Sequence, residues 1–123
     1  MRLRFVVSCA ALCFFVAAVA VSQDAAKVDP KHYKVELENA QVRVLRFHYG
    51  PHEKSVMHSH PNTVAVFLND GKIRFTFPDG KTQDVDGKAG EVQYTAAQVH
   101  NPENTGVAPM DGIVVELKGT AGK

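Results

Sequence analysis

The sequence predicts an all-β fold, a small barrel or sandwich, on three observations. Beyond residue 31, apolar residues recur with period two. The alternating stretches are of strand length and are divided by Gly, Pro, Asn and Asp. No stretch of this region keeps a helical repeat over two turns. Successive side chains of a strand point to opposite faces, so a period of two marks an element with one buried side. Short strands with frequent turns close into sandwiches or barrels.

The elements follow in order. Tyr33, Val35 and Leu37 alternate with charges and stop at Asn39. Val42 to Tyr49 is β-branched and aromatic, which suits a half-buried pleated surface, and Gly50-Pro51 ends it. Val56 and Met57 lead a strand into His58 and His60. Thr63 to Leu68 is a continuous apolar run closed by Asn69-Asp70-Gly71. Ile73, Phe75 and Phe77 alternate with Lys72, Arg74 and Thr76; Pro78-Asp79-Gly80 then turns the chain, and Thr82 to Val85 answers as the second arm of a hairpin. Gly87 and Gly90 bracket another turn, Glu91 to Thr95 is a further strand, and Ile113 to Leu117 is the last. One domain over residues 32–118 is expected, with a short tail at 119–123. Residues 23–31 are polar, contain Asp29-Pro30, and read as a flexible lead-in.

Residues 1–22 have a different character. Arg2 and Arg4 precede an uncharged apolar run, Phe5 to Val21, that ends in small residues. This is the pattern of a secretory signal peptide, cut before Gln23 or, as a close second, after Ala20. The alternative is an uncleaved membrane anchor, for which the run is slightly short. Cleavage implies a secreted or periplasmic protein with no membrane attachment. It would also remove Cys9 and Cys13, so the mature chain would have no disulfide framework and no thiolate ligand. Loss of Arg2 and Arg4 takes Lys+Arg from 14 to 12 against 13 acids, a net charge of −1. Charges of both signs are interspersed and no basic run appears, so a nucleic-acid partner has no electrostatic footprint.

Six histidines in so short a chain stand out. His58 and His60 are two apart, so on a strand their imidazoles share a face and can place two nitrogens on one metal. A third donor must come from another strand. Exposed His-x-His pairs are also common without a metal, and the pair alone leaves that choice open.

Two segments narrow it. Gly50 to Gly71 runs GPHEKSVMHSHPNTVAVFLNDG, and Gly90 to Gly106 runs GEVQYTAAQVHNPENTG. Their order and spacing, with a hairpin between, resemble the two motifs of the cupin superfamily. His58, His60 and Gly71 match the first; Gly90-Glu91, His100 and Asn104 match the second. The chain is similar to very small one-domain cupins with an HxHP segment, a PDGK turn and a closing VELK, some of them labelled for β-alanine degradation. The resemblance implies a single-domain jelly-roll barrel, or double-stranded β-helix, and one divalent metal held by His58, His60 and His100. It also implies pairing as a homodimer. Two departures bear on activity. The family's fourth ligand, a Glu four residues after the second His, is replaced by Val64 with Ala65 beside it, and the Pro-x-Gly turn before the last His reads Thr95-Ala96-Ala97.

Three neutral imidazoles would leave the metal's charge uncompensated, so a small anionic molecule is the expected ligand. Imidazole suits Fe, Zn, Cu and Ni, and Mn is a further candidate, so the ligand set does not select the metal. Three readings follow: an oxygenase, isomerase or lyase; a module that captures a ligand or metal without turnover; and a vestigial barrel without metal. His52 and Glu53, in the loop before the motif, are candidate extra donors or a base. His48 could face the same cavity or the outer surface. Of Gln93 and Tyr94 one must face inward, Gln93 as a weak oxygen ligand or Tyr94 as core. Asn104 is expected to brace the loop after His100. Phe47, Phe67, Phe75 and Phe77 read as barrel filling. No GxSxG, P-loop, GxGxxG or HExxH occurs, so hydrolase, nucleotide and zincin readings lack support.

Overall fold

The computed structural model describes residues 23–119; the segment read as a signal peptide lies outside them. Among the described residues nine strands follow one short helix: α1 (Ala25–Val28), β1 (Tyr33–Glu38), β2 (Val42–Tyr49), β3 (His58–His60), β4 (Thr63–Phe67), β5 (Gly71–Thr76), β6 (Thr82–Gly87), β7 (Val92–Thr95), β8 (Gln98–Asn104) and β9 (Met110–Leu117). They form a five-stranded sheet in the order β1-β2-β9-β4-β7 and a four-stranded sheet in the order β3-β8-β5-β6. Every pairing is antiparallel. Among the described residues no helix is long and apolar enough to cross a membrane.

The inner faces obey the period of two. On β9, Met110, Gly112, Val114 and Glu116 are buried and alternate with half-buried neighbours. On β2, Leu45, Phe47 and Tyr49 are buried. These side chains make the core with Tyr33, Phe67 and Ile73. Fully burying such a side chain contributes roughly 1.5–3 kcal/mol. Gly112 is where the sheet lets a ring come close: a Cβ there would lie 2.2 Å from the Phe47 ring and 2.8 Å from the Val66 carbonyl oxygen.

The structure departs from the sequence reading in two places that matter for the site. The flexible lead-in expected over residues 23–31 is ordered. Asp24 caps α1 through its carboxylate, Ala25 is fully buried, Ser59 donates its backbone N–H to the Gln23 carbonyl, and Arg43 pairs with Asp24. The segment is too short for periodicity, and it is held by isolated contacts rather than by a repeating face. Second, His100 lies on a strand, β8, where the sequence reading had no strand between Thr95 and Ile113. Pro102 hides this strand from a sequence reading, because proline cannot donate to a ladder. β8 divides its partners, pairing residues 98–100 with β3 and residues 101–104, Pro102 among them, with β5. The Thr95-Ala96-Ala97 turn that leads into β8 is held by Asn62, whose side-chain oxygen accepts the Ala97 N–H at 2.9 Å.

Asn104 performs the bracing role expected of it. It is fully buried; its amide nitrogen donates toward the carbonyls of Tyr49, Gly50 and Ala108 at 3.2, 3.0 and 2.8 Å, and its oxygen accepts from Gly106 N–H at 2.9 Å. Asn104→Ala strands several buried carbonyls at once and is expected to cost about 2–3 kcal/mol, read as a lower urea midpoint with an unchanged slope. A variant as stable as the parent would show that water can replace the amide.

Candidate metal centre

The three sequence-predicted histidines come together, and the ladder explains how. His58 and His60 share a face of β3, and His58 sits directly opposite His100 on β8. Directly opposed residues of an antiparallel pair hold their side chains about 5 Å apart. The triad therefore occupies three corners of one rectangle of a single ladder. Ring centroids are 4.8 Å apart for His58–His60, 5.0 Å for His58–His100 and 5.2 Å for His60–His100, with the planes steeply inclined. One nitrogen from each ring lies within 4.8 Å of the others, and all three residues are buried.

The hydrogen bonds fix which nitrogens are free. His58 Nδ1 is 2.8 Å from the Val56 carbonyl, which can only accept, and His60 Nδ1 is 2.8 Å from Glu116 Oε1. Burial pushes the Glu116 carboxyl up, but hydrogen bonds from His60 and Arg43, with Arg43's charge, outweigh it and hold the group below the usual range. It too accepts. Both Nδ1 atoms thus carry hydrogen, and the Nε2 atoms of His58 and His60 face each other at 3.1 Å, close enough to share a proton or one cation. Two lone pairs so placed would repel unless a proton or a metal ion lies between them, and two nitrogens bound to one ion at about 2.0–2.1 Å are separated by roughly this distance. His100 Nε2 is buried without a hydrogen-bond partner. Burial, and then the nearby His60, lowers His58 to about 4; burial, then His60 and His58, lowers His100 to about 3. Both rings are neutral at physiological pH. The donor set fits a divalent metal.

Gln98 is the fourth corner, opposite His60 on β8. Its amide lies 3.0 Å from His100 Nδ1, and a half-turn exchanges the oxygen and nitrogen it presents, so it can serve either tautomer of His100. Gln98 and Glu116 are the two neighbours that sequence reasoning missed. Gln98 carried a signal, since it is two residues from His100 and shares its face. Glu116 was harder to see because a charge in a closing strand reads as surface.

The position of the family's fourth ligand needs correcting. Thr63, Ala65 and Phe67 line the barrel interior, whereas Val64 does not. Ala65, rather than Val64, therefore occupies the inward place where a carboxylate ligand would stand. His48 faces outward, with its ring 57 % exposed and Nδ1 2.7 Å from Asp111. His52 sits exposed in a turn with φ of 59°. Glu53 is engaged elsewhere, accepting from Gly50 N–H at 3.1 Å and lying 2.8 Å from His32 Nε2. None of these three joins the triad. Of the pair on β7, Gln93 is half-buried on the cavity wall while Tyr94 is 64 % exposed at its margin.

Beside the triad, between the sheets, lies a cavity of about 330 Å³. His60 and His100 line it with aromatic and aliphatic side chains, among them Phe47, Phe67 and Phe75. Phe75 also stacks on His100 at 4.9 Å. Among the described residues, the polar ones in the lining are Gln83, Gln93, Gln98, Thr63, Thr95 and tyrosines; histidine aside, no described ionisable side chain other than these phenols contributes.

Two antiparallel sheets around a histidine-lined cavity define a double-stranded β-helix barrel with a three-imidazole centre. The chain belongs to the cupin domain family, whose model matches residues 45–116. Solved structures share the fold. A cupin domain from Bordetella pertussis is 20% identical with a TM-score of 0.66, covering 71% of this chain and 92% of that one. A double-stranded β-helix protein from Klebsiella pneumoniae is 26% identical with a TM-score of 0.58, covering 73% and 78%. An RmlC-like cupin family protein from Methanocaldococcus jannaschii is 18% identical with a TM-score of 0.55, covering 72% and 83%. No curated protein matches the chain.

Proposed function

We propose that this cupin binds one divalent metal through Nε2 of His58, His60 and His100, and that the metal anchors a small anionic molecule with an apolar body. The observation that carries the reading is the convergence of one ring nitrogen from each of three buried histidines beside a cavity that His60 and His100 line. Three protein ligands leave coordination positions for a ligand or water, which is the arrangement of reactive rather than structural metal sites. A bound divalent ion supplies Lewis acidity and, if redox-active, a place to activate oxygen.

The cavity wall defines the ligand class more finely. With no Lys or Arg in the lining, a second anionic group would have no partner, so a monoanion fits better than a dicarboxylate or phosphate. With no Asp or Glu in the lining, the ammonium of a zwitterion such as β-alanine would also stay unpaired. The resemblance to cupins labelled for β-alanine degradation therefore does not extend to a binding mode. The same lack of a carboxylate base argues against proton-transfer chemistry and leaves capture, or oxygen chemistry at the metal, as the two uses of the site. Export to the periplasm or outside the cell, and pairing as a homodimer, complete the reading; edge strand β7, with Val92 62% and Tyr94 64% exposed, is a surface suited to such pairing.

Metal analysis of protein purified without added metal tests the centre, with about one divalent ion per chain expected. Titration of the loaded protein with apolar monocarboxylates should then show binding that disappears when the metal is stripped. A chain that holds no metal, even after loading, would be the vestigial barrel. Oxygen consumption by the iron-loaded protein separates turnover from capture.

A further inference from the structure

We propose that Glu116 is a positioning residue of the metal centre: it holds His60 by Nδ1 so that Nε2 faces the other two imidazoles, and it supplies from behind His60 the negative charge that no ligand carries, with Asp24 offsetting Arg43. The inference rests on the metal-binding reading above.

Three observations lead to it. Glu116 stands on the inner face of β9, in register with Met110, Gly112 and Val114, where an apolar residue would serve packing better. A buried ion pair is seldom worth more than a well-packed apolar pair, so stability alone is a weak reason for a carboxylate there. Its two oxygens divide their duties, Oε1 2.8 Å from His60 Nδ1 and Oε2 accepting from Arg43 Nε at 2.7 Å. Arg43 has a second carboxylate partner in Asp24. The Glu116–Arg43–Asp24 trio therefore carries net charge −1; with Arg43 alone opposite, Glu116 would be neutralised.

The other two rings meet no carboxylate directly. His58 Nδ1 meets the Val56 carbonyl and, at 3.3 Å, Ser55 Oγ, which in turn bonds Asp29, and His100 Nδ1 meets a neutral amide. His60 alone is hydrogen-bonded to a charged group. A carboxylate that accepts a ligand's N–H fixes the tautomer, raises the basicity of the metal-facing nitrogen, and is commonly worth ten- to a hundredfold in metal affinity. Ala65 leaves the inward ligand position of β4 empty of charge, and Glu116 restores part of that charge one hydrogen bond further out. Asp24 belongs to the N-terminal segment, so the ordering of residues 23–29 is linked to the strength of the centre.

The test compares zinc affinity, by competition with a chromophoric chelator, across the parent chain, Glu116→Gln and Asp24→Asn. Glutamine keeps the size and an acceptor oxygen but not the charge. Zinc affinity is expected to fall about tenfold to a hundredfold in Glu116→Gln and by roughly threefold in Asp24→Asn, whose side chain is more exposed. The ¹⁵N shifts of His60 in the metal-free protein should report the Nδ1–H tautomer in the parent and a mixture in Glu116→Gln. A purely structural ion pair would lower the unfolding midpoint and leave affinity and tautomer within twofold of the parent, which overturns the inference while the metal site stands. If Glu116→Gln does not fold, Asp24→Asn decides by the same criterion. A parent chain that binds no zinc would instead overturn the metal-binding reading itself.

Discussion

His100→Phe is expected to lower zinc or nickel affinity by at least a hundredfold while leaving the metal-free protein as stable as the parent, or more so. The two effects separate because His100 plays two physical roles. As a ligand it closes the set: without it, two imidazoles on one short strand remain, and the loss should exceed the ten- to hundredfold that outer-shell partners alone are worth. As a side chain it is a buried ring, 6% exposed, stacked on Phe75 at 4.9 Å, with Nε2 lacking a partner. An unsatisfied buried polar atom costs about 1–3 kcal/mol, and phenylalanine keeps the stack while removing that atom. Gln98 loses a contact on the cavity wall, where water can substitute. Isothermal titration with zinc and urea unfolding in the presence of a chelator measure the two halves. Unchanged affinity would remove His100 from the ligand set; a large loss of metal-free stability would mean that Nε2 has a partner in solution.

The fold was legible in the sequence to a greater depth than the site. Period-two alternation located most of the strands, and β2 shows it plainly, with Leu45, Phe47 and Tyr49 buried between exposed neighbours; β1 alternates in sequence but buries Tyr33 alone. What alternation could not reveal was β8, whose inward positions are held by His100, Pro102 and Asn104 instead of aliphatic residues. The triad was reached through a family resemblance, since two histidines on a strand say nothing about which distant residue will stand opposite. The register supplies that link by pairing His58 with His100. Arg43 and Glu116, in β2 and β9, drew no reading from the sequence. Arg43 stands in phase with Leu45, Phe47 and Tyr49, so a strict reading of phase would have flagged it as a charge in need of a partner; Glu116 gave no such signal, because Ile113, Val115 and Leu117 occupy the opposite face of β9. The order of residues 23–29 had no comparable signal, because Asp24, Ala25 and Asp29 each meet a different part of the barrel.

Acid should unfold the metal-free protein near pH 4–5, and bound metal should protect it. Free imidazoles titrate at about 6.5, whereas burial and the neighbouring rings depress His58 to about 4 and His100 to about 3 in the folded chain. Above pH 6.5 neither state binds a proton at these sites and their contribution to stability is intact. As pH falls below 6.5 the unfolded chain takes up protons that the folded chain refuses, so each histidine removes about 1.4 kcal/mol per pH unit until its folded value is reached. Together they remove close to 3 kcal/mol per unit between pH 6.5 and 4, which soon rivals the 5–15 kcal/mol that holds a typical small domain together. Glu116, held low by His60 and Arg43 against the pull of burial, acts with the same sign once the pH drops below the usual carboxylate range. A divalent metal binds only the neutral rings and stabilises the folded state by mass action, so saturating zinc should move the transition to lower pH. Urea midpoints from pH 8 to 4, with chelator and with zinc, read both slopes. Midpoints that stay level between pH 6.5 and 5 in chelator would show that the imidazoles are hydrated in solution, and the dry, neutral cluster on which the metal reading stands would be lost.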